Sequence, residues 1–237
     1  MTVSDGIPRS IMRSIKTLAV TTLLAISATT VASGQAPRPF RDSWFWGVHA
    51  GALTYSGSNT ANPALPGSSS VAPLVGGDWL ITRTNGGLYV AYSQAFLSTT
   101  GLILNGPTSA DTGVRTVKVN GLRRVDFLGM LYPGNYLKLH PYLGFGVSFR
   151  YLADADANGP YATQKQIDFA NSSVNDVKAS LEPAFLAGAQ YRTKFASVFG
   201  QMMVSRTSKE FLLANGHTAS LSMEFGLRYN IGSSVER

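Results

Sequence analysis

The 237-residue chain has no cysteine, which excludes disulfide frameworks and thiolate metal sites and suits an oxidising compartment. Charge is scarce. Asp, Glu, Lys and Arg make up 14% of the residues, against roughly 25% in soluble domains. Long apolar runs are missing after the N-terminus, and no amphipathic helix stands out. No basic run is interleaved with aromatics, so nucleic acid is a poor partner. What the chain does have is 24 Gly, 12 Phe, 10 Tyr and 3 Trp, a composition of strands and turns. The net charge is +7. Without the first 36 residues it is 17 basic against 12 acidic, a modest excess that suits an anionic membrane surface.

The segment from Met12 to Ala36 reads as an address. Arg13 and Lys16 form a basic start, Leu18 to Ile26 a short apolar core, and small residues close it. That is the pattern of a secretory signal peptide, too short and too rich in Thr and Ser for a membrane span. Cleavage after Ala36 or after Gly34 fits. Residues 1–36 are expected to be signal peptide, with 1–11 an upstream start extension, and 37–237 the exported domain.

The exported part alternates. "LHPYLGFGVSFRY", Leu139 to Tyr151, puts Leu143, Phe145, Val147 and Phe149 on one face and His140, Gly144, Gly146, Ser148 and Arg150 on the other. Period two means a strand. Seven more follow the same logic, at about 44–55, 73–83, 88–96, 115–132, 177–192, 195–206 and 217–231. On the fourth, Val117, Val119, Val125, Phe127 and Leu131 share a phase. On the seventh, Ala196, Val198, Met202 and Val204 form the apolar face, leaving Phe199 and Met203 opposite. "TNGG" at 84–87 and "PGN" at 133–135 are tight turns, and the seven connections alternate strictly between long and short, beginning and ending with a long one.

That rhythm predicts an all-β fold: an up-and-down antiparallel transmembrane β-barrel of about eight strands, with short periplasmic turns and four long surface loops. The alternative cover for so many apolar faces is a soluble sandwich or a lipocalin-like binding barrel. The opposite faces decide. They carry His49, Asp78, Arg124, Asp126, Lys138, His140, Arg150, Glu182, Glu224 and Arg228, which a closed ring can point inward as a polar network. An Arg turned to lipid at mid-depth would cost roughly 2–4 kcal/mol. Aromatics gather at the strand ends. Trp44, Trp46, Trp79, Tyr132, Tyr136, Tyr191, Phe195 and Tyr229 lie near the short turns, and Tyr55, Phe96, Phe149 and Tyr151 near the long loops. These read as two interfacial girdles.

The stretch "EFGLRYNI", Glu224 to Ile231, resembles the C-terminal β-signal by which the barrel assembly machinery recognises outer-membrane proteins. Glu224, Gly226, Tyr229 and Ile231 occupy its places, although the usual terminal Phe is replaced by "GSSVER". As a strand pattern, the exported chain resembles small eight-stranded outer-membrane barrels such as the OmpA membrane domain, OmpX and OmpW. The resemblance implies placement in the bacterial outer membrane, contact with lipid and lipopolysaccharide, and transient engagement of the assembly machinery. A monomer is expected.

Candidate chemistry is thin. Some small outer-membrane barrels modify lipid A with a His-x-Ser pair on one strand. Here "HAG" at His49, "HPY" at His140 and "HTA" at His217 lack the Ser, leaving only a triad assembled from different strands. "DADANG" places Asp154, Asp156 and Asn158 like the start of a calcium loop, but the twelfth place is Lys165, and no helix is expected to frame it. Arg115, Arg123 and Arg206 are candidates for lipopolysaccharide phosphates, whereas Arg83 sits by a short turn. The lumen charges can form a plug of ion pairs or a conduction path. No cofactor and no enzymatic activity are expected. The reading is a plugged barrel with structural or surface-interaction roles, with a passive channel for small or apolar solutes as the alternative.

Overall fold

A computed structural model describes residues 42–57, 69–84, 86–104, 106, 114–133, 138–157, 160–193, 196–207, 213 and 219–233. The expected signal peptide lies outside them. The main body, Arg38–Arg237, is one compact unit.

Eight strands close into a barrel: β1 Ser43–Ser56, β2 Ser69–Thr82, β3 Gly86–Ala95, β6 Gly121–Leu131, β7 Leu139–Ala153, β9 Ala179–Arg192, β10 Ala196–Arg206 and β11 Ala219–Ser233. Each pairs antiparallel with its chain neighbour, and β1 pairs with β11 to complete the ring. A β-bulge between Trp44 and Phe45 marks the closing seam. The topology is the simple meander that the alternating connections predict. Several strands, such as β7 with 15 residues, exceed the roughly 9–11 residues that cross a bilayer. The sheet therefore rises above the membrane at the long-loop end.

The loop end holds structure that alternation did not reveal. β4 Thr99–Leu104 and β5 Val114–Val119 form a hairpin, to which the two-residue β8, Asp156–Ala157, adds by pairing with Val117 and Lys118. The single strand expected over 115–132 is thus two. Gly121 and Leu122 are both buried, so the inward phase slips by one residue. Val117 and Val119 turn into the core, whereas Phe127 and Leu131 face out.

The longest loop contains a helix, α1, Gln164–Val177, where none was expected. Thr163 caps it by accepting the Gln166 N–H at 3.4 Å, and Gln166 Oε1 reaches back to the Ala162 N–H at 3.0 Å. This is close to a capping box. Ala170 and Val174 bury one face of α1 against Ile103, Val117 and Val119, together with Leu53, Leu74, Leu122, Leu152 and Leu213. The result is an apolar cap over the barrel mouth.

The barrel's outer face is apolar on every strand. Trp46 is 60% exposed, Phe145 60%, Leu181 65% and Phe225 65%. A soluble monomer rarely exposes a continuous apolar surface larger than a few hundred Å². The same strands turn Asp78, Arg124, Asp126, Glu224 and Arg228 inward, each 4% exposed or less. In water this arrangement is inside out. In lipid it satisfies both solvents, because the closed ring also pairs every strand edge.

Candidate functional site

The candidate site is the barrel interior. Even at inward positions the filling is only partly polar. In the half nearer the short turns, Phe45, Leu80, Tyr89, Leu128, Met130, Tyr142, Leu186 and Met203 form a buried cluster. The expectation that large apolar side chains, Phe199 and Met203 apart, point to lipid therefore needs correction. Tyr132 also departs from the girdle: it packs against this cluster, edge-on to Tyr142 with ring centroids 6.3 Å apart. Trp44 and Trp46 remain outside, flanking Trp79 at 5.2 and 6.4 Å. Tyr136 and Phe195 lie outside the described residues.

Arg228 sits within that cluster. Its Nε donates to Asp78 Oδ2 at 2.6 Å, Nη1 to Gln190 Oε1 at 3.0 Å and Nη2 to Gln201 Oε1 at 3.2 Å. Its guanidinium lies 3.7 Å from the Phe199 ring centre and within 6 Å of Tyr89 and Tyr142. Cation–π contact and a desolvated ion pair thus share one group. Gly47 makes room for it. A Cβ there would lie 2.5 Å from Asp78 Oδ1 and 2.8 Å from Arg228 Cγ.

One level nearer the loops, Arg124 Nε donates to Asp126 Oδ2 at 2.9 Å, and Nη2 donates to Glu224. Ser148 donates to Asp126 at 2.7 Å and Ser222 to Glu224 at 2.8 Å. Gln201 joins the two levels: its Nε2 donates to Glu224 Oε2 at 2.7 Å and to the Tyr89 hydroxyl at 2.9 Å, and Tyr142 donates to its Oε1 at 3.0 Å. The carboxylates are held by cations and by neutral donors together, the condition under which a buried ion pair is tolerated.

Higher still lies Arg150, 2% exposed. Its partners are hydroxyls: Thr207 at 3.3 Å, Ser220 at 2.6 Å, and Ser205. Among the described residues no carboxylate lies within ion-pair distance of it.

Of the other residues expected in the lumen, His49, His140 and Glu182 are buried. Lys138 is exposed; it precedes β7 at the short-turn end, where its ammonium reaches water instead of the desolvated interior. Glu224 and Gly226 of the β-signal stretch face inward, and Tyr229 and Ile231 face out. Gly226 has a packing reason of its own, since a Cβ there would meet the Phe199 ring at 2.7 Å. Ser148 was placed on the inward face, whereas Gln201, Ser93, Ser205 and Ser220 escaped sequence reasoning. Their signal is parity alone: each shares the inward phase of its strand.

His49 brings three strands together. Its Nε2 lies 2.9 Å from Ser93 Oγ and its Nδ1 3.5 Å from Asp78 Oδ1. The order Ser–His–Asp is that of a hydrolytic triad. The environment is not. Ser93 is fully buried, its hydroxyl is shared with Arg124 at 3.5 Å, and Asp78 is already bonded to Arg228. His217 and Asn158 lie outside the described residues. Asp154 and Asp156 are spread over a turn and β8, and among the described residues no group of three His, Cys, Asp or Glu side chains could hold a metal. At the loop rim, Arg123 and Arg206 are exposed, whereas Arg115 donates to Pro160 O at 3.0 Å and stacks on Tyr161 at 3.9 Å.

An even number of antiparallel strands, short turns at one end, long loops at the other and an apolar exterior define an outer-membrane barrel. The chain is a transmembrane β-barrel of the outer-membrane type. No family model matches the sequence, and no curated protein matches it. Among solved structures it is similar to Neisserial surface protein A, at 14% identity over 79% of this chain and 97% of that one, with a TM-score of 0.49. It is similar to OprG from Pseudomonas aeruginosa at 13% identity, over 81% and 98%, with a TM-score of 0.45. It is also similar to Ail, the attachment invasion locus protein of Yersinia pestis, at 10% identity, over 80% and 99%, with a TM-score of 0.41. These likenesses concern the fold and carry no residue role across.

Proposed function

We propose that the barrel is a closed, non-enzymatic membrane anchor that presents a structured outer surface for interaction. The observation that carries this reading is the filled interior. The aromatic cluster, the Arg228–Asp78 pair and the Arg124–Asp126–Glu224 group are stacked along the axis and joined by Gln201. An eight-stranded barrel is just wide enough for such filling. Above it, the β4–β5 hairpin and α1 cover part of the mouth, and α1 turns Lys165, Asp168, Asn171, Asn175 and Asp176 to solvent. That polar face is what a partner would meet. Lipopolysaccharide is the expected neighbour of exposed Arg123 and Arg206. The β11 stretch is the expected ligand of the assembly machinery, and the barrel is a monomer in this reading.

Planar-bilayer recording tests it. A plugged barrel gives no steady open level. A reproducible ohmic conductance would replace this reading with that of a passive channel.

A further inference from the structure

Arg150 is treated differently from the other buried arginines. Arg124 and Arg228 each have carboxylate partners. Arg150 has only the hydroxyls of Ser205, Thr207 and Ser220, and its buried Nε makes no hydrogen bond. A guanidinium offers five N–H donors in a rigid fork suited to oxyanions. Of the buried carboxylates around it, Asp126 is held by Arg124 and Ser148 and Glu224 by Arg124, Ser222 and Gln201, while Glu182, opposite Ser148 on β9, makes no ion pair with Arg150.

The same side chain lines a cavity at the loop end of the barrel. About 50 Å³ is open there, bounded by Arg150, Thr207, Ser220, Ser56 and Ser69, with Leu53, Leu122 and Leu213 as apolar walls. One water needs roughly 10–15 Å³ on this measure, so the space fits a group of a few heavy atoms. A desolvated cation, a set of hydroxyls that can rotate to donate, and apolar walls that strengthen the field are the elements of an oxyanion site.

We propose that the Arg150 cavity binds a small oxyanion, a phosphate, sulfate or carboxylate group, in the outer mouth of the barrel. Phosphate can come free from solution or as a substituent of a lipid headgroup. The site goes beyond the anchoring role and does not depend on it: a barrel that conducts would keep the cavity, and a plugged one can lack the ligand.

The test uses the full mature chain folded in a non-ionic detergent. Sodium phosphate, sulfate and acetate are titrated calorimetrically at constant ionic strength against a chloride control, and purified lipopolysaccharide is titrated in mixed micelles. The expected result is saturable binding with one site per chain. Arg150→Met weakens it about tenfold or more, as loss of charge-assisted hydrogen bonds requires. Arg150→Lys weakens it less, and Arg123→Gln at the exposed rim leaves free-phosphate binding unchanged. Should Arg150→Met fail to fold, Ser56→Leu fills the cavity without touching Arg150 and must abolish binding too. Arg150-dependent binding of free phosphate identifies a solute site. Arg150-dependent binding of lipopolysaccharide alone identifies a headgroup site. No saturable binding of either, or binding indifferent to both Arg150→Met and Ser56→Leu, overturns the proposal.

Discussion

Arg228 and Arg150 are both buried inside one barrel, on opposite halves, and they are solvated by the protein in different ways. Arg228 has a carboxylate, two amides and an aromatic face. Arg150 has hydroxyls and a cavity. The first is an ion pair closed on itself, in which each guanidinium nitrogen donates a hydrogen bond and aromatic rings surround the group. The second is a cation held by hydroxyls, with no carboxylate in ion-pair contact among the described residues. The short-turn half of the lumen therefore reads as structure, and the loop half as the place where chemistry is still open.

The comparison can be broken most forcefully at Asp78. Asp78→Ala leaves Arg228 without its anion in a water-free cluster. A loss of about 3–5 kcal/mol is expected, read by denaturant unfolding in lipid vesicles with tryptophan fluorescence. The double change Asp78→Leu with Arg228→Met should recover most of it, because two apolar groups of similar volume remove both charges. A single-change loss below about 1 kcal/mol would mean that water reaches Arg228.

On the outer face, Phe145→Arg places a charge in the acyl chains. About 2–4 kcal/mol of stability should be lost in the same assay. A neutral outcome would mean that β7 does not face lipid at that depth. At the loop end, Thr163→Ala removes the α1 cap. About 1 kcal/mol is expected, confined to faster hydrogen exchange over residues 164–177, with barrel unfolding unmoved. The smallest effect is expected at Arg150 itself. Arg150→Met should leave global stability within about 1 kcal/mol, since relief from desolvation offsets the lost hydrogen bonds. A loss as large as that of Asp78→Ala would erase the contrast between the two halves.

The barrel was legible because its signal is repeated eight times. Each strand alternates, and Asp78, Asp126, Glu224 and Arg228 fix which face points inward. Parity even resolved β10, where Phe199 and Met203 do lie inside. The capped mouth was not legible for two reasons. Val117 and Val119 keep arithmetic step with Phe127, but the slip at Gly121 and Leu122 reverses their direction. α1 is short and polar, and its signs are the Thr163–Gln166 pair and the spacing of Ala170 and Val174. The aromatic filling around Arg228 was legible only as parity: Tyr89, Tyr142 and Phe199 each alternate with the lipid-facing residues of their strands, but nothing in one strand says that they gather around Arg228. Which inward groups meet across the lumen depends on strand stagger, and no single strand encodes that.

The central claim is the direction of the two faces, and the cysteine-free chain allows it to be measured site by site. Single cysteines at Phe145, Phe149, Phe225 and Leu227, and at exposed Thr116 in β5, would carry a nitroxide in lipid vesicles. Collision with oxygen and with a water-soluble nickel chelate then reports the solvent at each site. The account predicts oxygen without nickel at the four barrel positions and nickel at Thr116. Nickel access at Phe145 and Phe225 equal to that at Thr116 would contradict it.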